Sequence, residues 1–559
     1  HGKKYIQMME QECVNVSKTN GKDLLGQPFL NKGTAFTLEE RATLGLEGLL
    51  PTAVRTLEEQ GEIVYAQLGQ LTDAYSKQKH LMNIYAQNRV LFYHVIGKHV
   101  TELLPVIYTP TIADTVMNYS RDYQIPQDAV YLDVNRPEAI RTALLNGCKG
   151  MDDEEIKMMV ITDGEGVLGI GDWGIQGIAI SIGKLAVYTV ASGLNPQQVL
   201  PIVIDAGTNN EQLLEDPFYL GNKHKRVTGE AYYPFIEKFV EEASALFPDV
   251  LFHWEDFGRD NAANILEQYR DKICTFNDDI QGTGVMMAAA MDSVVRITDK
   301  PITEHKILVF GGGTAGVGVS DQILMEMVLQ GADSQEARKQ FYMVDRYGLV
   351  TDDMADLTPG QQKYARAAAE FSAPLNDLAE IIEAVKPTVL IGTSGQAGAF
   401  TQAVVEKMAA YNERPAIMPI SNPTSLCEAK ASDVIAWSEG RALVVTGSPS
   451  DPIAYNGVDY KIGQANNALL YPGLGFGIVI AKAKTVTDRM LSAAAHGITS
   501  LQNLDEAGAA ILPPVSQLRE ASKLVAAAVI QAAIEDGVNG VEITDPMEAV
   551  EAAIWKAEY

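Results

Sequence analysis

The sequence predicts a multidomain α/β protein in which a doubly wound, Rossmann-type unit is inserted in a second α/β unit, behind an N-terminal helical region. Three observations carry this. Residues 37–125 place apolar side chains at helical spacing. From residue 156 onward, short apolar runs alternate with helical segments. One of those runs leads into a glycine-rich turn that opens a long helix. A chain of 559 residues is also too long for one core.

Taken in order, TLEERATLGLEGLL (37–50) and TAVRTLEEQGEIVYAQLGQL (52–71) read as helices with acidic residues early in each. IKMMVIT (156–162) is a short strand stopped by DGEG, and VLGIG after it predicts a hairpin. IQGIAISIGKLAVYTVASG (175–193) is a helix closed by Gly193, VLPIVIDAGTNN (199–210) a buried strand, PFIEKFVEEASALF (234–247) a helix and VLFHWEDFG (250–258) a strand. A second block follows: helix QGTGVMMAAAMDSVVRIT (281–298), then strand, glycine turn and helix in KILVFGGGTAGVGVSDQILMEMVLQG (306–331). FYMVDRYG, PTVLIGTSG, AIMPISNPT and RALVVTGSP each read as a strand ending in a turn, and the last hundred residues return to helices. Boundaries are expected at 1–125 for the helical region, 126–280 for the first α/β unit, 281–466 for the Rossmann-type unit and 467–559 for the return and tail.

Composition narrows the function. The chain has 44 basic and 72 acidic residues and a net charge of −28, which repels nucleic acid and anionic membranes, so neither is an expected partner. An anionic substrate would need cations supplied locally. Cys13, Cys148, Cys274 and Cys427 form no CxxC pair, which argues against thiol zinc and a disulfide framework and points to a reducing cytoplasm. The longest apolar candidate for a membrane span, IAISIGKLAVYTV, is interrupted by Lys184.

The spacing G-x-G-x-x-G occurs at 169–174 and at 311–316, so context decides between them. Gly311, Gly313 and Gly316 follow a strand and open a helix whose first N–H groups, at Thr314 and Ala315, can hold a pyrophosphate. Asp345 ends the next strand, where a carboxylate binds ribose hydroxyls and repels a 2′-phosphate; NAD is therefore expected rather than NADP. At 169–174 the glycines end a hairpin and Asp172 stands where a phosphate would approach, so that match is expected to be a decoy. The strand-end turns IGTSG (391–395) and SNPT (421–424) are expected to face the same ligand crevice.

HWEDFGRDNA (253–262) and TFNDDIQGTG (275–284) each put two adjacent carboxylates at the end of an apolar run: Glu255 and Asp256, then Asp278 and Asp279. Desolvated acids need a partner, and oxygen-only ligands select Mg²⁺ or Mn²⁺ over zinc.

These stretches, with LNKGTAFT (30–37), PVIYTPT (105–111), ITDGEG (161–166), IGKL (182–185), GGGTAG (311–316), SNPT (421–424) and GQANNALLYPG (463–473), resemble the large-subunit malic enzyme and malolactic enzyme family, in family order across nearly the whole chain. The resemblance implies Glu255, Asp256 and Asp279 as metal ligands, Tyr108 as general acid, Lys184 as general base and Asp278 as the acid that supports proton transfer. It further implies that Asn422 and Asn467 hold a substrate carboxylate or carboxamide, Asn422 at the cofactor as well. The chemistry agrees: oxidising a 2-hydroxy acid needs a base, a role open to a lysine whose pKa burial lowers, and decarboxylation of a β-keto acid needs an electron sink and then a proton on carbon. One position departs from the family. Most malic enzymes of this type carry an arginine after ITDGE, where this chain has Gly166, and Arg259 is the candidate replacement for the missing substrate contact. The expected reaction is oxidative decarboxylation of L-malate to pyruvate by a homodimer or homotetramer. The alternative, favoured by Gly166 and HWEDFGR, is malolactic conversion to L-lactate and CO₂ with NAD retained.

Overall fold

The computed structural model describes residues 19–148 and 155–559; Cys13 lies outside the described residues. The described chain divides into two compact units. The first takes in the residues up to Asn277 with Ile478–Thr485 and Ala549–Tyr559, and the second takes in Asp278–Gly477 and Val486–Glu548.

The first unit begins with helices, among them α1 (Val100–Ile107) and α2 (Ile112–Asp122). Its sheet contains β1 (Val130–Asp133), β2 (Met158–Thr162), β3 (Val199–Asp205), β4 (Leu251–Trp254) and β5 (Thr275–Asn277) in the order β1-β3-β2-β4-β5, every pair parallel. All five residues of β2 are buried, as expected of a strand covered on both faces. Helix α3 (Ile178–Ser192) packs on β2 and β3 and buries all of its residues; it ends at Gly193, whose φ of 83° is the left-handed stop that the sequence indicated. Helix α4 (Arg259–Tyr269) links β4 to β5.

Two expectations need correction here. β2 pairs only with parallel neighbours, and the hairpin shrinks to one antiparallel bridge, Val167 to Gly171, because the glycines reverse the chain within a few residues. Lys184 does not interrupt its apolar segment: Gly174–Ser192 runs on as 19 helical residues, long and apolar enough to cross a membrane, yet wholly buried inside the protein. It is a core helix whose one charge is neutralised locally.

The second unit opens with α5 (Thr283–Thr298). It then builds a seven-stranded sheet from β6 (Ile307–Phe310), β7 (Phe341–Asp345), β8 (Gly348–Leu349), β9 (Val389–Gly392), β10 (Ala416–Pro419), β11 (Leu443–Thr446) and β14 (Gly463–Gln464). Their order is β14-β11-β10-β9-β6-β7-β8, parallel except for β8 against β7. A separate antiparallel pair, β12 (Ile453–Tyr455) with β13 (Val458–Tyr460), was not anticipated. Helix α6 (Thr314–Leu329) follows β6, and Leu308, Ile381, Leu390, Ile417 and Val444 form part of the core. Helices α7 (Asp488–Thr499) and α8 (Leu518–Glu535) pack on each other, and α7 packs on α5.

Candidate active site

Strand register places the acidic residues. Ile161 of β2 stands opposite Trp254 of β4, and Trp254 opposite Asn277 of β5, so the three strands end level. Glu255 and Asp256 leave β4 at that end. Asp278 and Asp279 are joined to Asn277 by consecutive peptide bonds and leave β5 in the same direction. The carboxyl ends of parallel strands are where such sheets bind ligands.

Glu255 and Asp256 are 2% and 3% exposed, and their ligand oxygens lie within 4.8 Å of each other. Lys184, 2% exposed, puts Nζ 3.1 Å from Glu255 Oε2. The same oxygen lies 2.7 Å from His253 Nε2, while His253 Nδ1 lies 2.7 Å from the Tyr188 hydroxyl. A carboxylate only accepts, so Nε2 carries the proton and Nδ1 receives the Tyr188 O–H. With both nitrogens engaged, His253 orients the Glu255 carboxylate rather than offering a nitrogen to a cation. The donors left at these strand ends are hard carboxylate oxygens, a set that fits Mg²⁺ or Mn²⁺. Lys184 also sits 5.1 Å from the centre of the Tyr108 ring. Gly183 makes that approach feasible, since a Cβ there would fall 3.1 Å from the Tyr108 ring and closer still to Ile112. Lys184 thus lies beside both Tyr108 and Glu255.

The ITDGEG loop packs on the β4 end. Gly166 N–H donates to the Asp256 carbonyl at 3.0 Å, and a Cβ on Gly166 would lie 2.9 Å from the Phe257 carbonyl oxygen. Asp163 is buried and accepts from the Tyr232 hydroxyl at 2.7 Å; burial raises its pKa, with Arg226 opposing. Burial likewise raises Glu165. Asp172 receives Arg226 Nη2 at 2.8 Å, Thr208 Oγ1 at 2.7 Å and Asn209 N–H at 2.9 Å. Burial raises the Asp172 pKa, but Arg226 outweighs it and holds the carboxyl below its ordinary value. The 169–174 glycine match is therefore a structural lock, with its carboxylate committed to an arginine. Arg259 is exposed at the first position of α4, one residue beyond Gly258, and makes no ion pair among the described residues.

His253, Tyr188 and Arg226 were not singled out from the sequence. His253 was within reach, because a strand residue two before Glu255 shares its face. Arg226 comes from a distant loop and left no local signal.

In the second unit, β6 runs into the glycine turn, and each glycine has its own role. Gly311 has a φ of 128°, and a Cβ there would strike Thr393 after β9. Gly313 is open, with no atom within 4 Å of a Cβ, and Thr314 and Ala315 are exposed beside it at the start of α6. A Cβ on Gly316 would overlap the Gly311 carbonyl. Asp345 ends β7, next to β6, and accepts from Tyr347 N–H at 2.8 Å. β7 and β9 flank β6 on opposite sides, so the turn stands at the switch point of the sheet. Asn422 is exposed just beyond β10, with Oδ1 receiving the Ser448 hydroxyl at 2.9 Å. Asn467 Nδ2 reaches Asp278 Oδ2 at 3.4 Å, over Gly282, where a Cβ would be 2.7 Å from that nitrogen.

A dinucleotide turn of this kind in the second unit is the mark of an NAD-linked enzyme, and the first unit carries buried carboxylates able to hold a hard divalent metal. Family models then assign the chain: the malic enzyme N-terminal domain matches residues 85–270 and the malic enzyme NAD binding domain residues 280–534. The chain belongs to the malic enzyme family. It is 49% identical over 539 residues to a malolactic enzyme of Lactiplantibacillus plantarum, covering 96% of this chain and 98% of that one. It is 47% identical over 546 residues to NAD-dependent malic enzyme 3 of Bacillus subtilis, covering 96% of each. Its fold matches a malic enzyme structure from Entamoeba histolytica with a TM-score of 0.54 at 20% identity, over 92% of this chain and 90% of that one.

Proposed function

We propose that this enzyme converts L-malate to L-lactate and CO₂ with NAD retained. The observation that carries the reading is Gly166, which stands where most malic enzymes have an arginine and is packed against the Phe257 carbonyl with no room for a Cβ. HWEDFGR and the likeness to the malolactic enzyme support it. Oxidative decarboxylation to pyruvate, placed first on sequence alone, becomes the second reading; the likeness to the Bacillus subtilis malic enzyme favours it.

A bound divalent metal would supply an electron sink for the decarboxylation, and NAD would supply the hydride acceptor. Lys184 takes the C2 hydroxyl proton and, in the malolactic reaction, returns it when the keto carbon is reduced. Tyr108, beside Lys184, delivers a proton to C3 after CO₂ departs. Glu255, Asp256 and Asp279 would hold the metal, and Asp278 would orient the proton path. Asn422, Asn467 and Arg259 bind the carboxylates. Gly311, Gly313, Thr314, Ala315, Gly316 and Asp345 hold the dinucleotide. The reaction is redox-neutral, so no NADH accumulates. Its setting is a homodimer or homotetramer in the cytoplasm, a reducing compartment that suits a sequence without CxxC pairs.

The test is incubation with L-malate, NAD and Mn²⁺ while lactate, pyruvate and NADH are all quantified. Lactate equal to malate consumed, without NADH, is the expected result. Pyruvate with stoichiometric NADH would establish the second reading instead.

A further inference from the structure

We propose that Glu428 is a positioning residue that clamps two cofactor-side loops of the second unit together and thereby sets the place of Asn422. Glu428 is fully buried, and among the described residues no cation pairs with it. A carboxylate held that way is costly unless N–H and O–H donors converge on it. They do, and they come from two loops. Glu428 Oε2 accepts from Ser394 N–H at 2.8 Å, Ser394 Oγ at 2.7 Å and Ser421 Oγ at 2.7 Å, while Oε1 lies 3.4 Å from Ser421 N.

Ser394 lies in the turn after β9 and Ser421 in the turn after β10. Gly395 N–H donates to Ser421 Oγ at 2.9 Å, which joins the loops directly as well. Thr393, one residue before Ser394, donates its hydroxyl to the Gly311 carbonyl at 2.9 Å. The buried carboxylate thus joins two strand-end turns, and Thr393 ties the first of them to the glycine turn after β6. Gly392 is part of the clamp, because a Cβ there would sit 2.6 Å from Glu428 Cδ. The serines of IGTSG and SNPT therefore share one role, since both present hydroxyls to Glu428. Asn422 follows Ser421 in the chain, so its side chain is carried by the clamp. A buried, hydrogen-bonded carboxyl group of this kind adds little stability compared with an apolar core, and its effect is on geometry.

The inference rests on NAD lying against these turns, not on which product leaves. The test is therefore NAD affinity by titration calorimetry without malate, well below the melting temperature, followed by kcat and KM for malate. Glu428→Ala is expected to weaken NAD binding about tenfold or more and to lower kcat/KM for malate further. Glu428→Gln keeps an acceptor for Ser394 and is expected to restore affinity to within about threefold. Adding Ser421→Ala to Glu428→Ala should cost little more, since the two act through one contact. NAD affinity unchanged within twofold in folded Glu428→Ala, or additive effects in the double variant, would overturn the proposal. If Glu428→Ala does not fold, Ser421→Ala decides it: losing its hydroxyl contact to Glu428 should weaken NAD binding by more than about threefold, and affinity within twofold of the parent would refute the clamp. A pyruvate product would overturn the malolactic reading and leave this result standing.

Discussion

Adding one carbon to Gly166 should weaken metal binding, although residue 166 itself is no ligand. Its φ lies outside the left-handed region, so Gly166→Ala tests space rather than backbone strain. The new Cβ would stand 2.9 Å from the Phe257 carbonyl oxygen, whereas ordinary contact begins near 3.4 Å, so about 0.5 Å of movement is required. The obstacle is backbone and cannot rotate aside. Gly166 N–H is also bonded to the Asp256 carbonyl at 3.0 Å, so the displaced segment carries the Asp256 carboxylate. Overpacking of this size costs ~1–3 kcal/mol. A ligand moved by about 0.5 Å reaches the tolerance of a preorganised site, and a loss of about tenfold in Mn²⁺ affinity is expected. Gly166→Arg carries the same Cβ and the same displacement, so restoring the family arginine should not improve malate binding. Mn²⁺ titration followed by electron paramagnetic resonance measures the affinity, and thermal melting of the metal-free protein measures the packing cost. Parental Mn²⁺ affinity together with parental melting would refute the reasoning.

Lys184→Gln should lower malate turnover by about 10²–10⁴-fold while NAD affinity in calorimetry stays at the parental value; turnover within tenfold would remove Lys184 as the base. Exhaustive dialysis against EDTA should abolish malate conversion, and Mn²⁺ or Mg²⁺ should restore it; full activity in EDTA would count against the carboxylate site. The His496 imidazole is held up at about 10, chiefly by Asp292 and then by Glu326, from an ordinary value of 6.5. The folded state keeps that proton longer than the unfolded state, so the stabilisation is complete below about 6.5 and disappears as pH rises to about 10. The His496 side chain is 45% exposed, so solvent screens much of the effect. Urea midpoints from pH 6.5 to 10 should fall less steeply in His496→Gln than in the parent, and identical slopes would refute the assignment.

Much of the fold was legible because its signals are local. Apolar runs broken by turn residues imply parallel strands, and the glycines at 311–316 imply a dinucleotide turn from the residues on either side of them. The paired acids at 255–256 and 278–279 implied a metal because adjacent charges after apolar runs are visible in one dimension. Other features exist only in three dimensions. The sequence shows Lys184 as a charge within an apolar helix, but its partner Glu255 lies 71 positions away and is reached through the parallel register of β2 and β4. The hairpin after β2 was overestimated because an antiparallel bridge and a parallel strand start from similar apolar patterns. Arg226 and Glu428 left no trace as site-builders, since each looks like an ordinary loop charge until crossovers bring Asp172, or Ser394 and Ser421, against it. By itself, then, the sequence determined most of the helices and parallel strands, which cofactor the glycine turn suits and that Gly166 breaks the family pattern. Tertiary structure alone decided which donors meet which carboxylates and that Gly166 has no room for a side chain, because those contacts depend on strand register and chain crossings that no local pattern encodes.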